Sequence, residues 1–200
     1  MRLKRGLRVE EATLIGFLVI GDGSRDEAIM RALLHRFNGE KALLMPQDRP
    51  SLGLEGSIRM ASELIRRFGR DVLIVIDRER FSGRLLYGLL RTYFDEYEVK
   101  RKSGGFRSIW VKKAGKSANL HLVIMGWKKA IEENIAVLIR EVLGANVKPT
   151  KEAVWAFLRA EAKLHVSDLI GRAGVEKLER AFGKALIRLL KEWSGRTKGP

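Results

Sequence analysis

The apolar positions in the first half of the chain fall into short continuous runs. Residues 14–20 are almost wholly apolar, residues 41–45 make a shorter run closed by Pro46, and residues 72–76 are wholly apolar. Runs of this length, bounded by turn residues, predict strands buried on both faces. Between and after them the apolar spacing changes to three and four, and residues 24–37, 57–68 and 82–94 predict helices. Ser24 is placed to cap the first of these. The second carries Ile58, Ala61, Leu64, Ile65 and Phe68 on one face and is stopped by Gly69. Residues 47–56, with Pro50, Gly53 and Gly56, read as a loop. The order is βαβαβα, which predicts an α/β fold: an open parallel sheet with helices on both faces and right-handed crossovers.

Past residue 96 the period shortens to two. Residues 97–102, 106–113 and 120–125 predict strands, joined by Ser103-Gly104-Gly105 and Ala114-Gly115-Lys116-Ser117, so an antiparallel hairpin region follows. Residues 128–143, 151–164 and 175–193 then predict a helical C-terminal tail. In its last helix Val175, Leu178, Phe182, Leu186, Leu189 and Trp193 recur at helical spacing, a stripe for the core or for a partner protein. The expected organisation is a basic arm at 1–13, an α/β domain at 14–96, a basic antiparallel extension at 97–126, a helical region at 127–194 and a frayed end at 195–200.

Charge changes the picture more than hydropathy does. There are 39 Lys and Arg against 24 Asp and Glu, a formal charge of +15. Such an excess favours phosphate backbones and anionic surfaces. The absence of cysteine excludes disulfides, thiolate zinc sites and cysteine nucleophiles. No apolar run approaches the ~20 residues that cross a bilayer, and the first residues lack a signal peptide's apolar core, so no membrane partner and a cytoplasmic location are expected. A single glutamine, with abundant Arg, Glu, Lys and Leu, fits the usage of thermophiles.

Within this basic chain, acids stand where two apolar runs end. The first run leads into Asp22-Gly23-Ser24-Arg25-Asp26, and the third into Asp77-Arg78-Glu79. Ligands of open α/β sheets bind at the carboxyl ends of the strands, so Asp22, Asp77 and Glu79 are predicted to converge on one edge. Three carboxylates without cations repel one another, and a divalent metal is the usual remedy. Each acid alone also suits a helix start. The stretch 99–117 has the opposite character, with seven cations and no acid: Lys100, Arg101, Lys102, Arg107, Lys112, Lys113 and Lys116. Interleaved with Phe106 and Trp110, these predict a nucleic-acid surface, although the two aromatics suit the core equally well. His35, His121 and His165 share no ligand spacing, and Glu132 and Glu133 read as acids at a helix start.

A strand ending in an acid, then glycine, two residues and Asp, then a helix, resembles the first motif of the Toprim family. That family spans topoisomerases, bacterial-type primases, 5S rRNA maturases and overcoming-lysogenisation-defect nucleases, and the chain most resembles its small archaeal Toprim-like proteins. Asp22 stands where the family usually has Glu. Asp77-Arg78-Glu79 resembles its second motif, Asp-x-Asp, with Glu in the last place. The likeness covers residues 14–94. It implies that Asp77 and Glu79 hold Mg²⁺ (or Mn²⁺), that Asp22 is a ligand or general acid/base at the phosphoryl group, and that Asp26 orients the turn or caps its helix. The metal would lower the pKa of a bound water and neutralise developing charge.

The leading expectation is therefore a Toprim-like, metal-dependent endonuclease acting on DNA or RNA. The rival is a non-catalytic nucleic-acid-binding protein on the same scaffold. A third reading is a subunit whose C-terminal helices dock on a protein partner. The chain has no room for a separate domain carrying a topoisomerase tyrosine.

Overall fold

The computed structural model describes residues 2–5, 14–21, 23–37, 42–46 and 52–195. Their strands are β1 (Arg2–Arg5), β2 (Leu14–Ile20), β3 (Ala42–Met45), β4 (Asp71–Asp77), β5 (Glu96–Ser103), β6 (Phe106–Lys113) and β7 (Lys116–Met125). The helices are α1 (Ser24–Arg36), α2 (Gly53–Phe68), α3 (Gly83–Tyr93), α4 (Glu132–Leu143), α5 (Lys151–Ala156), α6 (Val166–Arg172), α7 (Val175–Phe182) and α8 (Lys184–Trp193). One mixed sheet holds all seven strands in the order β1-β3-β2-β4-β7-β6-β5. The fold is α/β, with parallel pairings from β1 to β7 across β3, β2 and β4, and antiparallel pairings at β7-β6 and β6-β5.

Burial explains the centre of this sheet. Val72 to Ile76 of β4 are all 0% exposed, because helices cover both faces. Fully burying each such side chain is worth about 1.5–3 kcal/mol, so β4 alone contributes on the order of 10 kcal/mol of gross hydrophobic stabilisation. One face, with Leu18, Leu73 and Val123, packs on α1, α4 and the later helices. The other, with Phe17, Ile74 and Leu122, packs on α2 and α3. Phe106 and His121 stack at 5.9 Å, and His121 meets the edge of Trp193 at 5.4 Å. Phe106 is thereby a core residue, while Trp110 is half-buried. The apolar stripe of the last helices also lies inside, with Leu178, Phe182, Leu186, Leu189 and Trp193 all buried in the chain's own core.

Several boundaries depart from expectation. The hairpin strands continue the sheet, with β7 seated beside β4. Arg2–Arg5, expected in a basic arm, pair with β3, whereas residues 6–13 of that arm lie outside the described residues. Ser24 is the first helical residue of α1, and Gly23 holds the capping position instead. Helix α2 starts at Gly53, inside the expected loop. The single helix expected over 175–193 is two, because Gly183 breaks it with φ +89°. His35 and His165 are exposed.

Candidate functional site

Strands β2 and β4 are parallel neighbours in register, Ile20 opposite Val75, and the Gly21 N–H donates to the Val75 carbonyl at 2.7 Å. Their carboxyl ends therefore lie side by side, and the segments that follow open into one cleft. This cleft, ≈ 640 Å³, is lined by Gly23, Arg25 and Asp26 after β2, by Asp77 and Glu79 after β4, and by residues 129–132 and 149–152. Asp22 itself lies outside the described residues. The two acidic motifs thus meet at one edge of the sheet through Gly23, Asp26, Asp77 and Glu79.

Each acid is held differently. Asp77 ends β4, is half-buried, and its Oδ1 accepts the Ile131 N–H at 2.9 Å. Glu79 sits in a single 3₁₀ turn, Arg78–Arg80, with its side chain exposed and its N–H donating to the Lys129 carbonyl at 2.9 Å. Asp26 is 3% exposed in the first turn of α1, where a carboxylate suits the helix dipole.

Glu132 is the residue that sequence reasoning missed. Its sequence position reads only as an acid at a helix start, yet it is 9% exposed in the cleft wall. Its Oε1 receives Arg25 Nη1 at 3.4 Å and Trp155 Nε1 at 3.3 Å, while the Arg25 guanidinium lies 5.1 Å from the Trp155 ring centre. These contacts tie α1, α4 and α5 together, so the helical tail folds back over the sheet edge. Lys129, Lys151 and Glu152 join the lining in the same way. No local signal marks it: β7 pairs parallel to β4, so whatever follows β7 emerges at the same edge, and that adjacency is not written in residues 120–125.

The loop that follows β7 is held from inside. Glu133 accepts the N–H groups of Trp127, Lys128 and Lys129, the latter two at 2.8 and 3.0 Å. Asn134 Oδ1 accepts the Gly126 N–H at 2.7 Å, and its Nδ2 donates to the Ala181 carbonyl at 2.7 Å. Gly126 has φ +77°, and a Cβ there would stand 2.5 Å from the Ala130 oxygen, so only glycine fits the turn.

Three of the seven cations in the predicted basic surface have acidic partners within the fold. Lys100 pairs with Glu98, Lys112 with Glu96 at 2.7 Å, and Lys113 with Asp95 at 3.2 Å. Hydrogen bonds from the Ala114 N–H and Lys113 hold the Asp95 carboxyl below the usual carboxylate range, and the hydrogen bond to Glu96 raises Lys112. Lys116 Nζ donates to the Arg67 carbonyl at 2.6 Å. Arg107 is buried, and its Nη1 donates to the carbonyls of Gly104 and Phe106 at 2.8 Å each. Arg101 and Lys102 remain exposed on β5.

For a divalent ion, the described residues supply Asp77 and Glu79 in one cleft. Mg²⁺ commonly takes one or two carboxylates and completes its shell with water and substrate phosphates, so this pair suits it. Among the described residues, no three His, Asp or Glu side chains gather closely enough to hold an ion by themselves. The chain matches no family model, no curated protein and no solved structure. Among the described residues no helix is long and apolar enough to cross a membrane.

Proposed function

We propose that the chain is a Toprim-like, Mg²⁺- or Mn²⁺-dependent protein that hydrolyses phosphodiester bonds in nucleic acid, as an endonuclease. The observation that carries this reading is the meeting of the two acidic motifs in one cleft at the carboxyl edge of β2 and β4. On this reading Asp77 and Glu79, with Asp22, are the metal ligands, and the ion would supply charge neutralisation and an acidified water. Asp77 is held by the Ile131 N–H where it lines the cleft. Arg25, Lys129 and Lys151 bring positive charge to the same walls and suit the phosphates that flank a scissile bond.

The experiment is cleavage of labelled single- and double-stranded DNA and RNA with Mg²⁺ or Mn²⁺, comparing the wild type with Asp77→Asn and Glu79→Gln. Asn keeps an oxygen for the Ile131 N–H, so the fold is preserved while the charge is lost. Metal-dependent cleavage abolished by Asp77→Asn supports the reading, and cleavage unchanged in that variant refutes it.

One observation favours the second reading, a non-catalytic nucleic-acid-binding protein. Asp77 already spends Oδ1 on a structural hydrogen bond, as a strand-end acid does when it caps the next element. Binding without metal-dependent cleavage in wild type and variants alike would select it. The docking-subunit reading loses its motivating feature, since the apolar stripe of α7 and α8 is buried within the chain.

A further inference from the structure

Beside the acidic cleft, on the same sheet edge, lies a second depression of opposite charge. This groove, ≈ 410 Å³, runs between the β5–β6 turn, the end of β7 and the start of α8. Arg78, Arg101, Arg180 and Lys184 line it, and no carboxylate does so among the described residues. Arg180 is partnered by Glu141 at 2.8 Å, but Arg78, Arg101 and Lys184 form no ion pair among the described residues. The Nε of Arg78 is buried without a hydrogen-bond partner. Arg78 and Arg107 both set their guanidinium groups near the Phe81 ring, at 6.0 and 5.9 Å. Burial lowers the Arg107 pKa, Tyr87 opposes this, and the nearby Arg78 charge lowers it further. Like charges so placed, with no acid between them, are stabilised by an anion from outside. The first turn of α8 bears no side-chain cap, and its N–H groups add to the positive field.

Two features give the anion a shape. Arg78 stands between Asp77 and Glu79, and the 126–130 loop borders both depressions, so a chain lying in the groove leads into the acidic cleft. At the rim, Trp127 is 55% exposed on the loop that Glu133 and Asn134 hold in place. A positive groove with an aromatic platform is the arrangement that tracks a strand whose bases are free to stack. A duplex keeps its bases stacked on one another and offers none to Trp127.

We propose that this groove binds the phosphate backbone of a single-stranded nucleic acid, with Trp127 stacking on a base at its rim. The proposal rests on the nucleic-acid part of the functional reading above, and not on cleavage. It also relocates the contact surface: Arg101 is the one cation of the basic 99–117 stretch that lines the groove, and it lacks an ion-pair partner among the described residues.

The test is fluorescence anisotropy with labelled oligodeoxythymidylate and oligouridylate, and with a duplex of equal length, in EDTA over a salt series. The variants are Arg101→Gln/Lys184→Gln, Trp127→Ala, and Arg59→Gln/Arg91→Gln as a control that removes equal charge from exposed positions on α2 and α3. Single strands are expected to bind more tightly than the duplex. The groove pair should lower the slope of log K against log salt by about 1.4, for two single-strand phosphate contacts. Trp127→Ala should weaken single-strand binding about 5- to 150-fold, the equivalent of one base stack. The control should leave both quantities near wild type. Equal losses in groove and control pairs, wild-type affinity in Trp127→Ala, or tighter binding of the duplex would each overturn the proposal. Because EDTA removes the metal, loss of groove binding is read independently of Asp77. Cleavage with a functionless groove defeats this inference alone, and groove binding without any cleavage defeats the nuclease reading alone.

Discussion

Replacing Asn134 by Ala removes the clamp that joins the end of β7 to α4 and α7. Asn134 is 6% exposed and spends both ends of its amide, accepting from Gly126 and donating to Ala181, each at 2.7 Å. Its loss orphans a buried N–H and a buried carbonyl, and each orphan costs about 1–3 kcal/mol. The Gly126 end adjoins a surface loop and regains water on small movement, so the sum falls toward the low end, about 2–3 kcal/mol. Against a domain stability of roughly 5–15 kcal/mol the variant stays folded. Its melting temperature should drop by about 4–12 °C for a chain of this size. Urea unfolding followed by far-ultraviolet circular dichroism reads the loss directly, and hydrogen exchange should locate it at residues 126–130. Asn134→Asp makes the sharper comparison. It keeps the acceptor for Gly126 but turns an oxygen toward the Ala181 carbonyl, and should be at least as destabilising at neutral pH. A cost below about 0.5 kcal/mol in the Ala variant, the range of ordinary surface changes, would refute the assignment of the clamp.

Two other groups give independent expectations. Burial pushes the Asp71 carboxyl up, but His121, at 3.9 Å, and the hydrogen bonds from Asn119, the backbone one at 2.7 Å, outweigh it and hold the group below its ordinary range. A depressed carboxyl adds stability that is full above its unfolded value of ~3.9 and is lost as pH falls through its folded value. Asp71→Asn should therefore lower stability at pH 7 and converge with wild type in acid below that range; parallel urea curves at all pH values would contradict the account. Glu133→Ala frees three backbone N–H groups of the Trp127 loop. Hydrogen exchange at residues 127–129 should quicken by about tenfold, equivalent to roughly 1.4 kcal/mol of local stability, and unchanged protection would show that the loop is held by other contacts.

The parts of the fold legible in the sequence are those governed by burial. Residues 14–20 and 72–76 read as central strands because helices on both sheet faces demand apolar side chains in every direction. Residues 106–113 read correctly as a strand because alternation is a local property. Strand order is not local: nothing in 120–125 reports that β7 lies beside β4, and that adjacency alone brings Lys129 and Glu132 to the cleft. β1, with the sequence Arg-Leu-Lys-Arg, lacks any strand signature, since an edge strand needs only backbone partners. The ion pairs of the basic stretch are hidden from the sequence for a related reason. Its neutralising acids, Asp95, Glu96 and Glu98, precede it in sequence, and the hairpin register sets Glu96 opposite Lys112 after an irregularity between Val99 and Arg101. At Gly183 the helical period runs through the break undisturbed, so only the backbone angle reveals two helices.

The central claim is that the two acidic motifs make one divalent-metal site. Electron paramagnetic resonance of Mn²⁺ titrated into wild type, Asp22→Asn, Asp77→Asn and Glu79→Gln tests it without requiring turnover. The account predicts bound Mn²⁺ in the wild type, displaced by Mg²⁺ and weakened by a substitution in either motif. A wild type that binds no Mn²⁺, or one whose Mn²⁺ is unaffected by Asp22→Asn and Asp77→Asn, would contradict it.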